Sequence, residues 1–105
     1  MSIKINSILD ASNHFWKVSL EGELDVSTAD ELKKCLHKLV DEKNIDMRLN
    51  LEDLDYIDST GLGVMIGILK RLKIEEKEVY IEKPKNNVRK IFNITGLDKI
   101  FKLEG

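Results

Sequence analysis

The chain reads Ile57-Asp58-Ser59-Thr60-Gly61-Leu62-Gly63 at residues 57–63, and this stretch carries the strongest fold signal of the sequence. An acid and two hydroxyls stand ahead of two glycines. Apolar residues then follow at helical spacing, at Leu62, Met65, Ile66, Leu69 and Leu72. The pattern predicts a helix over residues 59–75. Because a helix start presents free N–H groups and a positive dipole end, a small polar side chain there can cap the helix, bind an anion or carry a phosphate.

Apolar segments of strand length lie on both sides of this helix. The first twenty residues predict a hairpin around a polar turn at 10–13, and Gly22 is expected to end its second strand. Residues 47–51 and 79–81 are short and β-prone, which predicts two further strands. An apolar segment at 97–103 finishes the chain as a last turn or strand.

Two more helices are predicted from their start signals. Thr28 followed by Glu31 matches the capping-box pattern. Asn86 or Asn87 is expected to cap the third helix, and Gly96 to end it in the left-handed conformation. Apolar faces follow at spacings of three and four: Leu32, Cys35, Leu36, Leu39 and Val40 in the first helix, and Val88, Ile91 and Phe92 in the third.

The resulting order, β-β-α-β-α-β-α with a terminal apolar segment, predicts an α/β fold. We expect a mostly parallel sheet of about four to five strands with right-handed crossovers, an N-terminal antiparallel hairpin and three main amphipathic helices. The helices can lie on one face of the sheet and leave the other partly open, which the sequence does not decide. The 105 residues fit one domain, so residues 1–105 are assigned to a single domain.

Composition excludes several classes of function. The chain is 42% hydrophobic and 34% charged, as globular proteins are, and its net charge of −2 indicates neither nucleic-acid nor membrane binding. No apolar run approaches the roughly 20 residues that span a bilayer, and the N-terminus lacks a signal-peptide core. The single cysteine excludes an internal disulfide, so a cytoplasmic protein is expected.

Catalytic and metal-binding patterns are weak. The sequence has no G-x-S-x-G nucleophile elbow and no Gly-Lys-Ser/Thr phosphate loop. His14 and His37 lack the partner spacing of a base or a metal site and are expected to be surface residues. Cys35 falls on the apolar face of the first helix and is expected in the core. We therefore expect no catalytic residue, no metal and no cofactor.

Gly61, Gly63 and Gly67 form a relaxed dinucleotide-like pattern, with Glu82 21 positions beyond Gly61. Two observations oppose it: residues 52–60 separate the glycines from the predicted strand at 47–51, and the chain is too short for the second half of such a fold. A small nucleotide- or anion-binding protein is kept as an alternative.

A second acidic stretch, Gly22-Glu23-Leu24-Asp25, lies at the end of a predicted strand. Acids there are usually solvated turn residues. In open α/β sheets, however, sites gather at the carboxyl ends of the strands, so Asp25 and the Asp58-Ser59 pair are expected to meet at one sheet edge. From local sequence alone, Ser59 and Thr60 are interpreted more simply as helix caps than as phosphate acceptors.

Together, these stretches resemble the bacterial anti-sigma-factor antagonists, single-domain proteins of the STAS class. The similarity spans nearly the whole chain, and the distance between G-E-L-D and D-S-[ST]-G-L-G makes it specific. It is carried by Glu21-Gly22-Glu23-Leu24-Asp25-Val26-Ser27-Thr28-Ala29, Tyr56-Ile57-Asp58-Ser59-Thr60-Gly61-Leu62-Gly63-Val64 and Thr95-Gly96-Leu97-Asp98-Lys99-Ile100-Phe101.

The resemblance implies a regulator of transcription that works by partner switching and is not itself an enzyme. In the family, the hydroxyl after the Asp, here Ser59, is phosphorylated by an anti-sigma factor that is a serine kinase; Thr60 is the second candidate. The unphosphorylated protein binds the anti-sigma factor and frees the sigma factor, and a PP2C-type phosphatase restores that form. Asp25 and Asp58 match acids at the docking edge. The remaining contact residues implied are Thr60, Gly61 and Leu62.

Other uses of the same domain stay open at this level. They are a scaffold or sensor module within a larger signalling assembly, and a subunit of a lipid or anion transport system.

Overall fold

The computed structural model describes residues 2–104, which fold into five strands, three α-helices and a short 3-10 helix. The predicted order of elements is confirmed. In chain order the elements are β1 Ile3–Asp10, β2 Phe15–Leu24, α1 Ala29–Glu42, β3 Asp46–Ile57, α2 Ser59–Ile74, β4 Val79–Glu82, α3 Asn86–Ile94, the 3-10 helix Leu97–Lys99 and β5 Lys102–Glu104.

The strands form one sheet in the order β1-β2-β3-β4-β5. β1 pairs antiparallel with β2, and every later neighbour pairs in parallel. The predicted α/β class, the N-terminal hairpin and the mostly parallel sheet are therefore confirmed. The strand order rises steadily along the chain, so successive right-handed crossovers carry all three helices to the same side of the sheet.

That side holds the hydrophobic core, which answers the question that the sequence left open. The buried side chains of the strands include Trp16, Val18 and Leu20 in β2, Met47, Leu49 and Leu51 in β3, and Val79 and Ile81 in β4. Buried residues of all three helices join the same cluster, among them Leu36, Met65 and Phe92. In the described part of the chain no helix covers the opposite sheet face, which is mostly polar, with Lys17, Arg48 and Glu82 among its side chains.

Two predicted strand ends are wrong. β2 continues past Gly22 to Leu24, and β3 continues past Leu51 to Ile57. The pairing of β2 with β3 shifts register twice, between Ser19 and Glu21 and between Gly22 and Glu23. Such irregularities break the two-residue alternation, which is why the polar residues after Leu51 do not look like a strand in the sequence.

Two predicted caps differ from the structure: Thr28 occupies the N-cap position of α1 as predicted but its side chain makes no capping bond, and neither Asn86 nor Asn87 is the N-cap of α3. The Thr28 hydroxyl donates to the Glu23 carbonyl at 2.9 Å and accepts from the Asp25 N–H at 3.0 Å, and it makes no capping bond to α1. At the start of α3, Lys85 occupies the cap position, and the Asn87 side chain donates instead to the Asp55 carbonyl at 2.8 Å. In both cases the side chain that the local sequence predicted to cap a helix forms its hydrogen bonds with backbone groups at the edge of the sheet instead. Gly96 is left-handed as predicted, with φ of 75°.

Candidate functional site

The two acidic stretches meet at the carboxyl edge of the sheet. Leu24 and Ile57, the last residues of β2 and β3, are partners in the parallel register. The N–H of Asp58 donates to the carbonyl of Leu24 at 3.1 Å. Asp25 and Asp58, which follow these two strand ends, therefore lie at the same edge, as the sequence predicted.

Asp58 is the residue that caps α2. Its carboxylate Oδ1 accepts from the N–H of Gly61 at 3.0 Å, and its carbonyl accepts the first helical bond from Leu62 at 3.0 Å. The local interpretation of Ser59 and Thr60 as caps is therefore wrong, because the preceding carboxylate already occupies that role.

Ser59 is consequently the first helical residue, and its side chain is exposed. Among residues 2–104 its hydroxyl has no hydrogen-bond partner, and the same holds for the exposed hydroxyl of Thr60. Both hydroxyls lie over the first turn of α2, where free N–H groups and the helix dipole favour an anion. A reacting enzyme can approach either of them without breaking an internal bond.

Gly61 and Leu62 hold this turn against the sheet. Both residues are buried, and a β carbon on Gly61 would lie 2.5 Å from Leu24 Cγ and 3.0 Å from the Leu24 carbonyl oxygen. The sequence resemblance implied that both belong to the contact surface. In the structure both are buried, and they hold the turn that carries the exposed Ser59 and Thr60.

Asp25 organises the loop between β2 and α1. It is buried, and its Oδ1 accepts from the backbone N–H of Ser27 at 2.9 Å and from the Ser27 hydroxyl at 2.6 Å. These hydrogen bonds hold the pKa of Asp25 below its ordinary value, and the bond from the Ser27 hydroxyl has the largest effect. Asp25 therefore carries a charge at neutral pH but directs it into its own loop.

Sequence reasoning missed two exposed apolar residues at this edge. Val26 is 76% exposed and Tyr56 is 46% exposed. They line a shallow depression, here called the Val26–Tyr56 depression, whose other lining residues are Glu23, Asp25, Ser27 and Asp55. Exposed apolar side chains with a polar rim are typical of contact surfaces. The sequence did contain one indication of this surface, because both apolar residues lie inside the two motif stretches and have polar neighbours in the chain.

The depression is acidic, and Lys85 lies beside it. The ammonium group of Lys85 is 3.1 Å from Asp55, and this ion pair joins the start of α3 to the end of β3. The pair is exposed, so its attraction is screened by solvent and contributes little to stability. Its position nevertheless moderates the negative charge on that side of the depression.

The glycine pattern does not form a dinucleotide site. β3 runs to Ile57, so the objection that a long segment separates the strand from the glycines is wrong. Only Asp58 lies between β3 and α2, however, and Gly63 and Gly67 lie within α2 with open space around them. A dinucleotide fingerprint needs its first glycines in the loop between strand and helix, where the backbone wraps the pyrophosphate.

The remaining candidate residues lie away from this edge. His37 was expected on the surface, but it is half-buried between α1 and α2, where its Nδ1 is 3.0 Å from Arg71 Nη1. Burial, and then the charge of Arg71, lower the pKa of His37. Cys35, expected in the core, is only half-buried, and burial raises the pKa of its thiol. His14 is exposed at the β1–β2 turn, as expected.

Within residues 2–104, no group of three or more His, Cys, Asp or Glu side chains is arranged to hold a metal ion. None of the helices in that range has the length and hydropathy needed to cross a bilayer.

Comparison with known proteins identifies the family of this fold and site. A family model described as the STAS domain matches residues 7–105. The chain belongs to the STAS domain family. An anti-sigma-B factor antagonist from Staphylococcus aureus is 38% identical to it over 95 residues, covering 90% of this chain and 88% of the relative. The resemblance drawn from the motif stretches is thereby confirmed.

Solved structures agree on the fold. An anti-sigma factor antagonist from Mycobacterium paratuberculosis superposes with a TM-score of 0.86 at 24% identity, covering 98% of this chain and 86% of that one. The Bacillus cell fate determinant SpoIIAA in its phosphorylated form superposes with a TM-score of 0.72 at 19% identity, covering 97% of this chain and 90% of that one. The single-layered arrangement of three helices on a five-stranded sheet is thus the STAS fold.

Proposed function

We propose that this chain is an anti-sigma-factor antagonist whose binding is switched by phosphorylation of Ser59. The observation that carries the proposal is that Asp58 caps α2. Because the cap is already made, the Ser59 hydroxyl is exposed and has no bond to lose to any of residues 2–104 when it is modified. The 38% identity to a staphylococcal anti-sigma-B factor antagonist supports this use of the domain over a scaffold, sensor or transport role.

The unphosphorylated protein is proposed to bind an anti-sigma factor through the carboxyl edge of the sheet. Ser59 and Thr60 provide the exposed polar part of that surface, and the Val26–Tyr56 depression provides the apolar part. Asp58 positions the first turn of α2 and Asp25 positions the loop ahead of α1, so both act on the surface by shaping it. Binding of the anti-sigma factor would release its sigma factor and so allow transcription.

Phosphorylation is proposed to be the step that ends this binding. A phosphate adds about −1.5 to −2 charges and three acceptor oxygens. The first turn of α2 tolerates it, because the helix dipole and free N–H groups favour an anion there. A partner that packs over Ser59 would have to bury that charge among the neighbouring acids. A loss of about 3–4 kcal/mol lowers affinity by a factor in the hundreds.

In this proposal the chain has no catalytic activity of its own. The anti-sigma factor supplies the serine kinase, and a PP2C-type phosphatase removes the phosphate. This chain acts as substrate and ligand, and it needs no metal or cofactor. The Bacillus protein of the same fold has been solved in a phosphorylated form, so a phosphate is compatible with this architecture.

The site is tested by incubating the protein with its anti-sigma factor kinase and ATP and mapping the product by mass spectrometry. We expect one phosphate on Ser59, with Ser59→Ala unmodified and Thr60→Ala modified as in the wild type. Phosphate on Thr60 of the wild-type chain, with none on Ser59, would contradict the assignment.

The switch is tested by measuring the affinity for the anti-sigma factor by calorimetry. Ser59→Ala is expected to bind as the wild type does, and Ser59→Asp to bind at least about tenfold more weakly, because it adds a buried charge at the contact. Ser12→Asp is the matched control, since Ser12 is an exposed hydroxyl in the turn at the opposite end of β2. Equal affinities for Ser59→Ala and Ser59→Asp would contradict the charge mechanism.

A further inference from the structure

The outer edge of β1 is a surface that the proposed function does not use. β1 is a terminal strand of the sheet, and no other strand within residues 2–104 pairs with its outer side. It is eight residues long, contains no proline and pairs with β2 without a register break. Ile8 is 66% exposed and Leu9 is 38% exposed. Sheet edges without a proline, a bulge or a covering segment can recruit further strands, and the two charges of β1, Lys4 and Asp10, stand near its two ends and leave its middle uncharged.

The outward backbone groups of β1 belong to its odd-numbered residues. The N–H of Glu23 donates to the carbonyl of Ser2 at 3.0 Å, so Ser2 directs its backbone groups toward β2. This direction alternates from one residue to the next in an antiparallel pair. The unbroken register carries the alternation along the strand, so Ile5, Ser7 and Leu9 present their N–H and C=O groups to the outside.

We propose that β1 pairs in antiparallel fashion with β1 of a second copy of this chain, about a two-fold axis at Ser7. Ser7 then lies opposite Ser7 of the second copy, and Ile5 lies opposite Leu9. Each of these residues has outward backbone groups, so each pair exchanges two hydrogen bonds. A segment that pairs with itself in this way forms the isologous contact of a two-fold dimer.

Side-chain charges select this register over its neighbours. With Ser7 on the axis, Lys4 lies opposite Asp10 of the second copy on the helix-free face. The two-fold symmetry forms the same pair a second time, between Asp10 of the first copy and Lys4 of the second. On the other face Ile5 lies opposite Leu9. A shift of two residues preserves the hydrogen-bond pattern but separates Lys4 from Asp10, and cross-strand pairs of opposite charge stabilise a sheet.

Asp10 is suited to that pairing because its carboxylate is charged. The side-chain amide of Asn13 donates to Oδ2 at 3.1 Å and the backbone N–H of Asn13 donates to Oδ1 at 3.1 Å. These bonds hold the pKa of Asp10 below its ordinary value, and the bond from the Asn13 side chain has the largest effect.

The dimer leaves the proposed phosphorylation site free. The two-fold axis is perpendicular to the sheet, so the strands of the second copy run in the opposite direction. The carboxyl edges of the two copies therefore lie at opposite ends of the joined sheet, each with its own Ser59. The contact rests on β1 alone, and its test is independent of the proposed function.

The dimer is tested by sedimentation over a wide range of protein concentration. We expect the wild type to pass from monomer to dimer in the micromolar range. Ser7→Pro removes an outward N–H and leaves the bonds between β1 and β2, so it is expected to be a monomer with an unchanged circular dichroism spectrum. Ser7→Ala keeps the N–H and is the matched control, expected to dimerise as the wild type does.

A charge reversal tests the register, and it also covers the case in which Ser7→Pro fails to fold. Lys4→Glu places a like charge opposite Asp10 twice in the dimer and is expected to raise the dissociation constant about tenfold. Lys90→Glu is its matched control, since Lys90 is an exposed lysine on α3 and lies outside β1. It is expected to leave the dissociation constant unchanged.

Disulfide cross-linking locates the axis directly. In a Cys35→Ser background, Ser7→Cys places two thiols opposite each other at about 5.5 Å between Cα atoms, within disulfide range. Asn6→Cys places the thiols two residues apart in register and is expected to cross-link more slowly.

A wild type that stays monomeric at high micromolar concentration would overturn the proposal, even if its β1 captures a strand of another protein. A dimer that neither Ser7→Pro nor Lys4→Glu weakens would overturn it as well.

Discussion

Gly61 lies against Leu24 so closely that a β carbon at position 61 would be 2.5 Å from Leu24 Cγ. This contact joins the first turn of α2 to the end of β2, across a separation of 37 positions in the chain. It explains why the motif around Ser59 needs a glycine at this point. It also fixes the height of the exposed hydroxyls above the sheet edge, on which the proposed switch depends.

Gly61→Ala is expected to destabilise the protein by about 1–3 kcal/mol, because the new methyl group must displace Leu24 or the helix. Gly63→Ala is the matched control, since a β carbon there meets no atom within 4 Å. It is expected to be neutral or to stabilise by up to about 1 kcal/mol, as alanine favours a helix more than glycine does. Urea unfolding of both variants measures the difference, and equal stabilities would contradict the packing argument.

Asp58→Ala is expected to cost about 1 kcal/mol, because the N–H of Gly61 loses its capping acceptor. Asp58→Asn keeps an oxygen in the same place and caps equally well, so its stability is expected to match the wild type. Thermal unfolding at neutral pH separates the two. If Asp58→Asn were destabilised as much as Asp58→Ala, the charge rather than the hydrogen bond would be the stabilising feature.

The hydrogen bonds of Asp25 in the loop after β2 lead us to expect that the stability of the protein depends on pH. The hydrogen bonds from Ser27 lower the pKa of Asp25 in the folded protein relative to an unfolded value of about 3.9. A depressed carboxyl pKa contributes stability that is present above the unfolded pKa and is lost as pH falls through the folded pKa. The difference in unfolding free energy between wild type and Asp25→Asn is therefore expected to be complete at neutral pH and to shrink below about pH 4.

The cause of that shift is tested separately by following the Asp25 carboxyl in an NMR titration. Ser27→Ala removes the hydroxyl donor at 2.6 Å and leaves the backbone donor at 2.9 Å. The pKa of Asp25 is expected to rise toward its ordinary value in this variant. An unchanged titration would assign the shift to some other group.

Val26→Asp is expected to weaken anti-sigma factor binding by about tenfold or more, because it places a charge in the apolar part of the proposed contact. The side chain is 76% exposed, so the fold is expected to tolerate the change. Ile74→Asp is the matched control, because Ile74 is 80% exposed at the far end of α2. An equal loss of affinity for the anti-sigma factor in both variants, measured by calorimetric titration, would show that the Val26–Tyr56 depression is not part of the interface.

Local patterns predicted a large part of the fold. The order of the elements, the parallel sheet and α2 follow from spacing rules that act within a few residues, and Gly96 is left-handed as its position after α3 requires. The strand ends were less predictable. Gly22 has φ of 108° and lies beside a register shift within β2, where the sequence indicates a turn.

The candidate site shows the same division. The motif stretches indicated Ser59 and its neighbouring acids, and the meeting of Asp25 and Asp58 followed from the rule that sites gather at carboxyl strand ends. Which side chain caps α2 could not be predicted, because Asp58 and Ser59 are both good caps and only the backbone conformation distinguishes them. Val26 and Tyr56 were missed because exposure depends on what the remainder of the chain leaves uncovered.

The sequence by itself determined the order of the elements and the family, since these depend on apolar periodicity and on short motifs with a set spacing along the chain. Only the tertiary structure decided that, among the residues it describes, the Ser59 hydroxyl has no hydrogen-bond partner, Gly61 is buried against Leu24 and no strand pairs with the outer edge of β1. Each of these depends on contacts between segments far apart in sequence, and no local preference of a residue records where those segments meet.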